Sequence, residues 1–254
     1  QYCRSKTINV LSILTIRRMS YWTQSRSPLY SFLFTIPIFV IYEIGIFFIS
    51  KDDVWVLRNG ADALMRQLLA SFGIFGLYGI GAIFLFAFII VFIRQKKQWD
   101  KTDIHFDYLL LMTAESCVWA LCLYFLLSNI LVGLMNPIGK SIIQQVTLAI
   151  GAGIYEEFLF RVLLIYGLNG ILGFIFQWSV NIRRWGAMIV AAGIFSAFHF
   201  IGEYGDYFSL DLFLLRFFAG LVLGIVYFVR GFGITAYAHS IYDLIVLTQL
   251  TTRY

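Results

Sequence analysis

Long apolar stretches separated by short polar or charged segments dominate the pattern of this chain. A helix needs about 20 apolar residues to cross a bilayer, so the pattern predicts about seven membrane-spanning helices. The predicted spans lie at about 29–50, 72–93, 108–134, 142–166, 185–200, 210–229 and 234–250. Residues 171–180 are also apolar but short, and they would add an eighth crossing if they span or re-enter the bilayer.

Residues 54–70 have a different pattern. Apolar residues recur there at helical spacing, with Arg58, Asp62 and Arg66 between them. This spacing predicts an amphipathic helix that lies at the membrane surface. We therefore expect an all-α fold, a polytopic transmembrane helix bundle of about seven to eight spans plus one interfacial amphipathic helix.

The chain shows no internal repeat, low-complexity tract or linker, which predicts one membrane domain over residues 28–254. An N-terminal tail, residues 1–27, precedes this domain. The segment before Arg17 and Arg18 lacks the small-residue cleavage site of a signal peptide. We expect the natural start at Met19, with the preceding residues an extension.

Composition agrees with the apolar pattern. Hydrophobic residues make up 60% of the chain and charged residues 13%, with a mean hydropathy of +0.82. Soluble domains carry about 25% charged residues, so a water-soluble globule and a disordered chain are excluded. The 3 cysteines are too few for a disulfide framework. Cys117 and Cys122 share one apolar segment, where we expect them to pack as small hydrophobic residues.

The net charge of +5 reflects basic residues in short loops and does not indicate a nucleic-acid partner. In a seven-span arrangement most of these residues fall on one side, which should be cytoplasmic. The basic positions on that side are 17, 18, 26, 94–101, 183, 184 and 230. Those on the other side are Lys51, Arg58, Arg66 and Lys140. The bias therefore predicts a cytoplasmic N-terminus, although it is incomplete.

The fourth predicted span contains three charged residues, Glu156, Glu157 and Arg161. A charged side chain at mid-bilayer costs about 2.5–3.5 kcal/mol on insertion scales, so such a group is expected to be paired or functional. Glu157 and Arg161 are four residues apart and can pair on one helix face. Glu156 points about 100° away and can face a polar cavity. A structural ion cluster that locks helices together is the alternative interpretation.

Two histidines and one aspartate also lie inside predicted spans. His199 follows Phe195 by four residues, and Asp243 follows His239 by four, which places each pair on one helix face. A carboxylate, two imidazoles and an orienting aspartate are the components of water-activating hydrolysis. Packing histidines with hydrogen-bond partners are the alternative. On a flat topology His199 lies near the outer end of its span and His239 near the inner end, so tilt or offset helix ends must bring them level.

Four further acidic residues need separate interpretation. For Glu43 and Glu115, both inside predicted spans, we favour structural roles over a place in the cavity. Glu203 and Asp206 follow His199 in a loop, where we expect solvated side chains that could gate access.

Three motifs together resemble the CPBP family, the CAAX-protease and bacteriocin-processing intramembrane endopeptidases related to the Ras-converting CAAX endopeptidase. They are E-E-x-x-x-R at 156–161, F-x-x-x-H at 195–199 and H-x-x-x-D at 239–243. Each motif alone is weak, but their order on successive apolar segments is specific. The resemblance covers about residues 140–250, which we take as the protease-like core. The family often has Asn at the last position, where this chain has Asp243.

The resemblance implies hydrolysis of a peptide bond within the membrane, with Glu156, His199, His239 and Asp243 as catalytic residues. Glu156 with His199 would activate water. His239 and Asp243 would stabilise the oxyanion or position the substrate. An ionised carboxylate cannot donate a hydrogen bond, so Asp243 is expected to orient His239 or to be protonated.

The resemblance also implies a supporting ion pair and the absence of a required metal. Glu157 and Arg161 would form the pair. No cofactor is expected, but Glu156, His199 and His239 would be the ligands if zinc were bound.

Location and partners follow from the same resemblance. The segments PLYSFLFTIPIFVIYE and RNGADALMRQLL look like a prokaryotic branch, which implies a multi-pass protein of a prokaryotic cytoplasmic membrane. The expected partners are the bilayer and a membrane-anchored or lipid-proximal protein or peptide substrate.

Other hydrolase classes lack their motifs here. There is no H-E-x-x-H and no G-x-S-x-G, and Gly205-Asp206 does not supply the G-x-G-D pattern of an aspartyl type. Two alternatives stay open. One is a non-catalytic relative that acts as a binding or immunity protein. The other is a proton-coupled transporter, for which the inverted repeats expected of many transporter folds are not found.

Overall fold

The computed structural model describes residues 21–48, 86, 89–90, 93, 104–131, 142–201 and 205–251, and within these ranges every regular element is helical. The predicted surface helix at 54–70, the tail before residue 21, most of the span at 72–93, the loop at 94–103 and Glu203 lie outside the described residues. For the described part of the chain, the expected all-α architecture is confirmed.

Six long helices make up most of the described part of the chain. They are α1 (Pro28–Phe48), α2 (Phe106–Leu131), α3 (Ile142–Phe176), α4 (Val180–Phe198), α5 (Leu210–Arg230) and α6 (Phe232–Thr251). Within the described ranges, α1, α2, α3 and α5 are long and apolar enough to cross a membrane. A polytopic membrane protein is therefore supported, whereas the number of seven to eight spans stays a prediction.

Helix α3 extends further than the predicted span at 142–166. Residues 171–176 form its last turns, so this segment is not a crossing of its own. Gln177, with φ of 51°, ends the helix in the left-handed conformation, and α4 begins at Val180. Arg183 and Arg184 therefore lie in the first turns of α4 rather than in a loop. The two charges suggested that the helix begins only after them, but arginine is a good helix former and is part of the helix.

Two stretches of α3, Ala152–Glu156 and Phe158–Leu164, are wide π-helical turns. Such turns are rare and occur frequently at functional sites, because they change which side chains share a face. Here the first stretch ends at Glu156 and the second begins directly after Glu157, the adjacent glutamate of the first motif. Apolar periodicity does not predict them.

The offset of the helix ends brings the motif residues level. Glu156 lies 20 residues before the end of α3, and His199 lies 19 residues after the start of α4. Because the two helices are joined by a short turn, nearly equal distances from it place both residues at one depth. His239 reaches that depth only 8 residues after Gly231, in the α5–α6 turn. The flat topology was therefore wrong, because it placed the α3–α4 turn and the α5–α6 turn at the same depth.

Helix α6 occupies the centre of the bundle and contacts α1, α2, α3 and α5. Its small residues permit close approach: Ala236 and Ala238 are fully buried. At Gly153 of α3, an added Cβ would overlap the Ser240 hydroxyl and the Ala236 carbonyl oxygen. This contact fixes α3 against α6 and so sets the spacing of the first and third motifs.

Arg230 was assigned to a basic cytoplasmic loop, and this assignment was wrong. It is the last residue of α5 and is fully buried, with Nη2 donating to Glu115 at 2.8 Å and to Ser25 at 2.8 Å. The Tyr21 hydroxyl donates to the same carboxylate at 2.7 Å. Burial, and then the Glu115 hydrogen bond, raise the pKa of Tyr21 well above its usual value. Glu115 thus has the structural surroundings expected for it, and Arg230 no longer counts toward the charge bias.

Candidate active site

One buried cavity of about 130 Å³ contains the four residues that the motifs assign to catalysis. Glu156 comes from a π-helical turn of α3, His199 from the end of α4, and His239 and Asp243 from α6. The other described lining residues are Leu123, Ala152, Phe195, Leu212, Leu215, Arg216, Ala219, Leu223, Tyr242 and Val246. The structure therefore brings the predicted set together in an apolar enclosure.

Glu156 and His199 face each other without a direct hydrogen bond. The His199 Nε2 atom lies 3.9 Å from Glu156 Oε2. The other ring nitrogen, Nδ1, lies 2.9 Å from the Phe195 carbonyl oxygen, so Nδ1–H donates there. In the neutral ring Nε2 is then free to accept a proton. A separation of this size can be bridged by a water molecule.

Glu157 makes a second contact that the motif spacing did not predict. Its Oε2 pairs with Arg161 Nε at 3.1 Å, as the spacing predicted. Its Oε1 lies 2.7 Å from His239 Nδ1, so this ring donates to the carboxylate. Glu157 is fully buried, and 82 residues separate it from His239. No local signal could have revealed this bond.

Asp243 lies on the opposite side of the His239 ring. Its Oδ2 is 3.6 Å from His239 Nε2, beyond a good hydrogen bond. The nitrogen that fixes the orientation of the ring, Nδ1, is bound by Glu157 instead. Asp243 therefore faces the cavity together with Nε2, where it is close enough to influence the charge of the imidazole.

Phe195 connects the three motifs. Its ring lies 4.9 Å from the His199 ring and 6.3 Å from the His239 ring, and the Arg161 guanidinium lies 4.5 Å from its centroid. The end of α4 is fixed by the Asp206 N–H, which donates to the His199 carbonyl oxygen at 3.0 Å. These contacts fix the positions of the two imidazoles against an apolar ring.

The remaining acidic residues lie in different places. Glu43 accepts a hydrogen bond from the Tyr155 hydroxyl at 3.0 Å, which agrees with a structural role. Asp206 is half-exposed but paired with Arg216 of α5. Arg216 was not among the residues predicted from the motifs, although a charge within the apolar stretch 210–229 was a visible signal.

The alternative zinc ligands do not form a metal site. Among the residues that the structure describes, no group of three or more His, Cys, Asp and Glu side chains is arranged to hold a metal ion. Glu156, His199 and His239 therefore do not fit zinc in this arrangement. Metal dependence stays a prediction.

A second, larger groove of about 820 Å³ contains none of the predicted site residues. It runs between the start of α1, α3, α4 and the α5–α6 turn, with Phe158, Val162 and Arg184 among its lining. Glu156 lines the smaller cavity instead, so the candidate site is separate from this groove.

The fold and the cavity define a polytopic helical membrane protein with a cluster of carboxylates and imidazoles among its helices. Residues 138–245 match the family model described as type II CAAX prenyl endopeptidase Rce1-like. Over these residues the chain is similar to the Rce1-like family, and the resemblance predicted from the motifs is confirmed. The family implies CAAX-type intramembrane endopeptidase activity in general terms. No curated protein and no solved structure matches the chain.

Proposed function

We propose that this protein is an intramembrane endopeptidase in which Glu156 activates the water that hydrolyses a peptide bond. The observation that carries the proposal is the convergence of Glu156, His199 and His239, from three helices, on one buried cavity. The substrate is a membrane-anchored or lipid-proximal protein or peptide, because the cavity lies among apolar helices and the family acts on such chains.

In the first step a water molecule between Glu156 and His199 loses a proton to the Glu156 carboxylate. Its oxygen forms a bond to the scissile carbonyl carbon, and the carbonyl becomes a tetrahedral oxyanion. His199 Nε2 supports this step because it can accept a hydrogen bond from the same water. The distance of 3.9 Å across the pair leaves room for the water oxygen to contact both groups.

His239 stabilises the oxyanion. Since Nδ1–H is donated to Glu157, Nε2 can donate to an oxyanion only when the ring is doubly protonated. Glu157 and Asp243 flank the ring and stabilise that charged form. Asp243 therefore acts through the His239 charge, as the resemblance allows, and Arg161 holds Glu157 in position.

In the last step the proton on Glu156 passes to the amide nitrogen. The C–N bond breaks, the new carboxyl group and amine leave the cavity, and Glu156 returns to its ionised form. The proton removed from water is the one delivered to the leaving group, so the enzyme is unchanged after one turnover.

For the protein's location we propose a prokaryotic cytoplasmic membrane with the N-terminus inside. The basic segments at 17–26 and 94–101 support this orientation.

The test is cleavage of membrane-anchored peptides in liposomes by wild type and Glu156→Gln, with a prenylated C-terminal peptide among them. We expect the variant to lose about 10²–10⁴-fold in kcat, the range of a general base. Both proteins are checked for folding by thermal unfolding in detergent. Continued cleavage by folded Glu156→Gln would contradict the proposal and favour the binding or transport alternatives.

The same assay tests the metal requirement. We expect cleavage by the wild type to be unchanged after treatment with a strong chelator. Loss of activity that zinc restores would assign Glu156, His199 and His239 to a metal centre instead.

A further inference from the structure

Arg216 lines the catalytic cavity but has no part in the proposed hydrolysis. It lies on the face of α5 that also presents Leu212, Leu215, Ala219 and Leu223 to the cavity. Its side chain is 13% exposed. Among the described residues that line this cavity, it alone carries a permanent positive charge.

The guanidinium of Arg216 is only partly satisfied. Nη2 pairs with Asp206, and the Phe200 ring lies 5.4 Å from the Cζ atom. Nη1 is buried and has no hydrogen-bond partner. Leaving a charged donor unsatisfied in a buried position is costly, so a donor in this position favours a ligand that can accept its hydrogen bond.

The position of Arg216 suggests where such a ligand would lie. Gly220, one turn further along α5, packs against the ring of Phe195, and Phe195 is one turn before His199. Because α4 and α5 are antiparallel, Arg216 lies level with His199, on the side of the α4–α5 connection. Its partner Asp206 is half-exposed at the rim. Arg216 thus extends from the rim into the cavity beside the proposed water site.

We propose that Arg216 binds a carboxylate of the substrate peptide and so determines which peptide bond reaches Glu156. This inference depends on the proposed function. A carboxylate is the group that complements a guanidinium, through short charge-assisted hydrogen bonds. Asp206 occupies one nitrogen and leaves Nη1 for the ligand. The carboxylate is the free C-terminus or an acidic side chain near the scissile bond.

The experiment compares matched peptides in liposomes. One pair differs only in having a C-terminal acid or amide, and a second pair differs only in Glu or Gln at a position near the cleavage site. Each is cleaved by wild type, Arg216→Gln and Arg216→Lys. Arg184→Gln is the matched control, since this exposed arginine on α4 lines the larger groove.

We expect wild type to favour the acid form of one pair by at least about tenfold in kcat/KM, the effect of one charge-assisted hydrogen bond. Arg216→Gln reduces this ratio to about one, Arg216→Lys retains part of it, and Arg184→Gln leaves it unchanged. The peptide pair whose kcat/KM ratio changes in Arg216→Gln identifies the source of the carboxylate. The ratio is internal to each variant, so a partly unfolded preparation does not affect it.

Two results overturn the inference. One is a wild type that cleaves acid and neutral peptides equally, and the other is a preference that persists in Arg216→Gln. Neither contradicts the proposed hydrolysis, whose failure is marked by continued cleavage in Glu156→Gln.

Discussion

Arg161 and Arg230 are both buried among apolar helices, and each pairs with a carboxylate. Around Arg230, the Trp22 ring lies 4.0 Å and the Tyr21 ring 5.3 Å from the guanidinium carbon, and Glu115 accepts further hydrogen bonds. Around Arg161, the paired Glu157 instead binds His239, which opens onto a cavity. The first cluster is closed by aromatic rings, whereas the second lies against a cavity.

A buried ion pair therefore does not identify a catalytic centre by itself. Arg230 pairs with Glu115 across 115 residues of chain, whereas Arg161 and Glu157 are four residues apart on α3. Both pairs would be costly to break. The difference lies in what surrounds them. The Arg161 cluster is adjacent to a second carboxylate, Glu156, and to His199, whose side chain is 25% exposed. Groups with accessible proton-transfer atoms distinguish a reactive cluster from a structural one.

The same substitution in the two clusters tests this distinction most strongly. In Glu157→Gln, His239 loses the charge that stabilises its imidazolium, so we expect kcat to fall about 10²–10³-fold, as for loss of an oxyanion donor. Glu115→Gln should change kcat per folded molecule by no more than about twofold. The measurement is cleavage by the folded fraction of each protein. Equal losses in both variants would remove the distinction.

The Arg230 cluster should instead contribute mainly to the free energy of unfolding. Arg230→Met leaves Glu115 unpaired, and we expect a loss of about 3–5 kcal/mol in the free energy of unfolding. The double variant Arg230→Met/Glu115→Leu should recover most of it, because an apolar pair replaces a buried ion pair at little cost. Unfolding in mild detergent measures both, and a double variant as unstable as the single one would contradict this account.

The smallest expected effect concerns the contact between α3 and α6. In Gly153→Ala the new methyl group meets Ser240 and the Ala236 carbonyl oxygen, so we expect a loss of about 1–3 kcal/mol and reduced kcat as His239 moves from Glu157. Gly167→Ala is the control, since beyond the neighbouring backbone of its own helix nothing lies within 4 Å of its added Cβ. Unchanged stability and activity in the Gly153→Ala variant would show that the close contact is not required.

Local features of the site could be predicted from the sequence because helix geometry fixes them. The four-residue spacing predicted the Glu157–Arg161 pair, and the motifs named the residues that line the cavity. The π-helical turns beside Glu156 could not be predicted, since apolar residues on every face of α3 give no periodic signal. The same uniform hydrophobicity hid the true end of α3 at Phe176.

By itself, the sequence determined the membrane class, the helical architecture, the family resemblance and the set of candidate side chains. Only the tertiary structure decided which of them meet: Glu157 with His239, 82 residues apart, and Glu115 with Arg230, 115 residues apart. The physical reason is that a helix in a bilayer is apolar both where it faces lipid and where it faces a neighbour. The hydrophobic pattern therefore cannot indicate the packed face, and close contacts such as that at Gly153 select it.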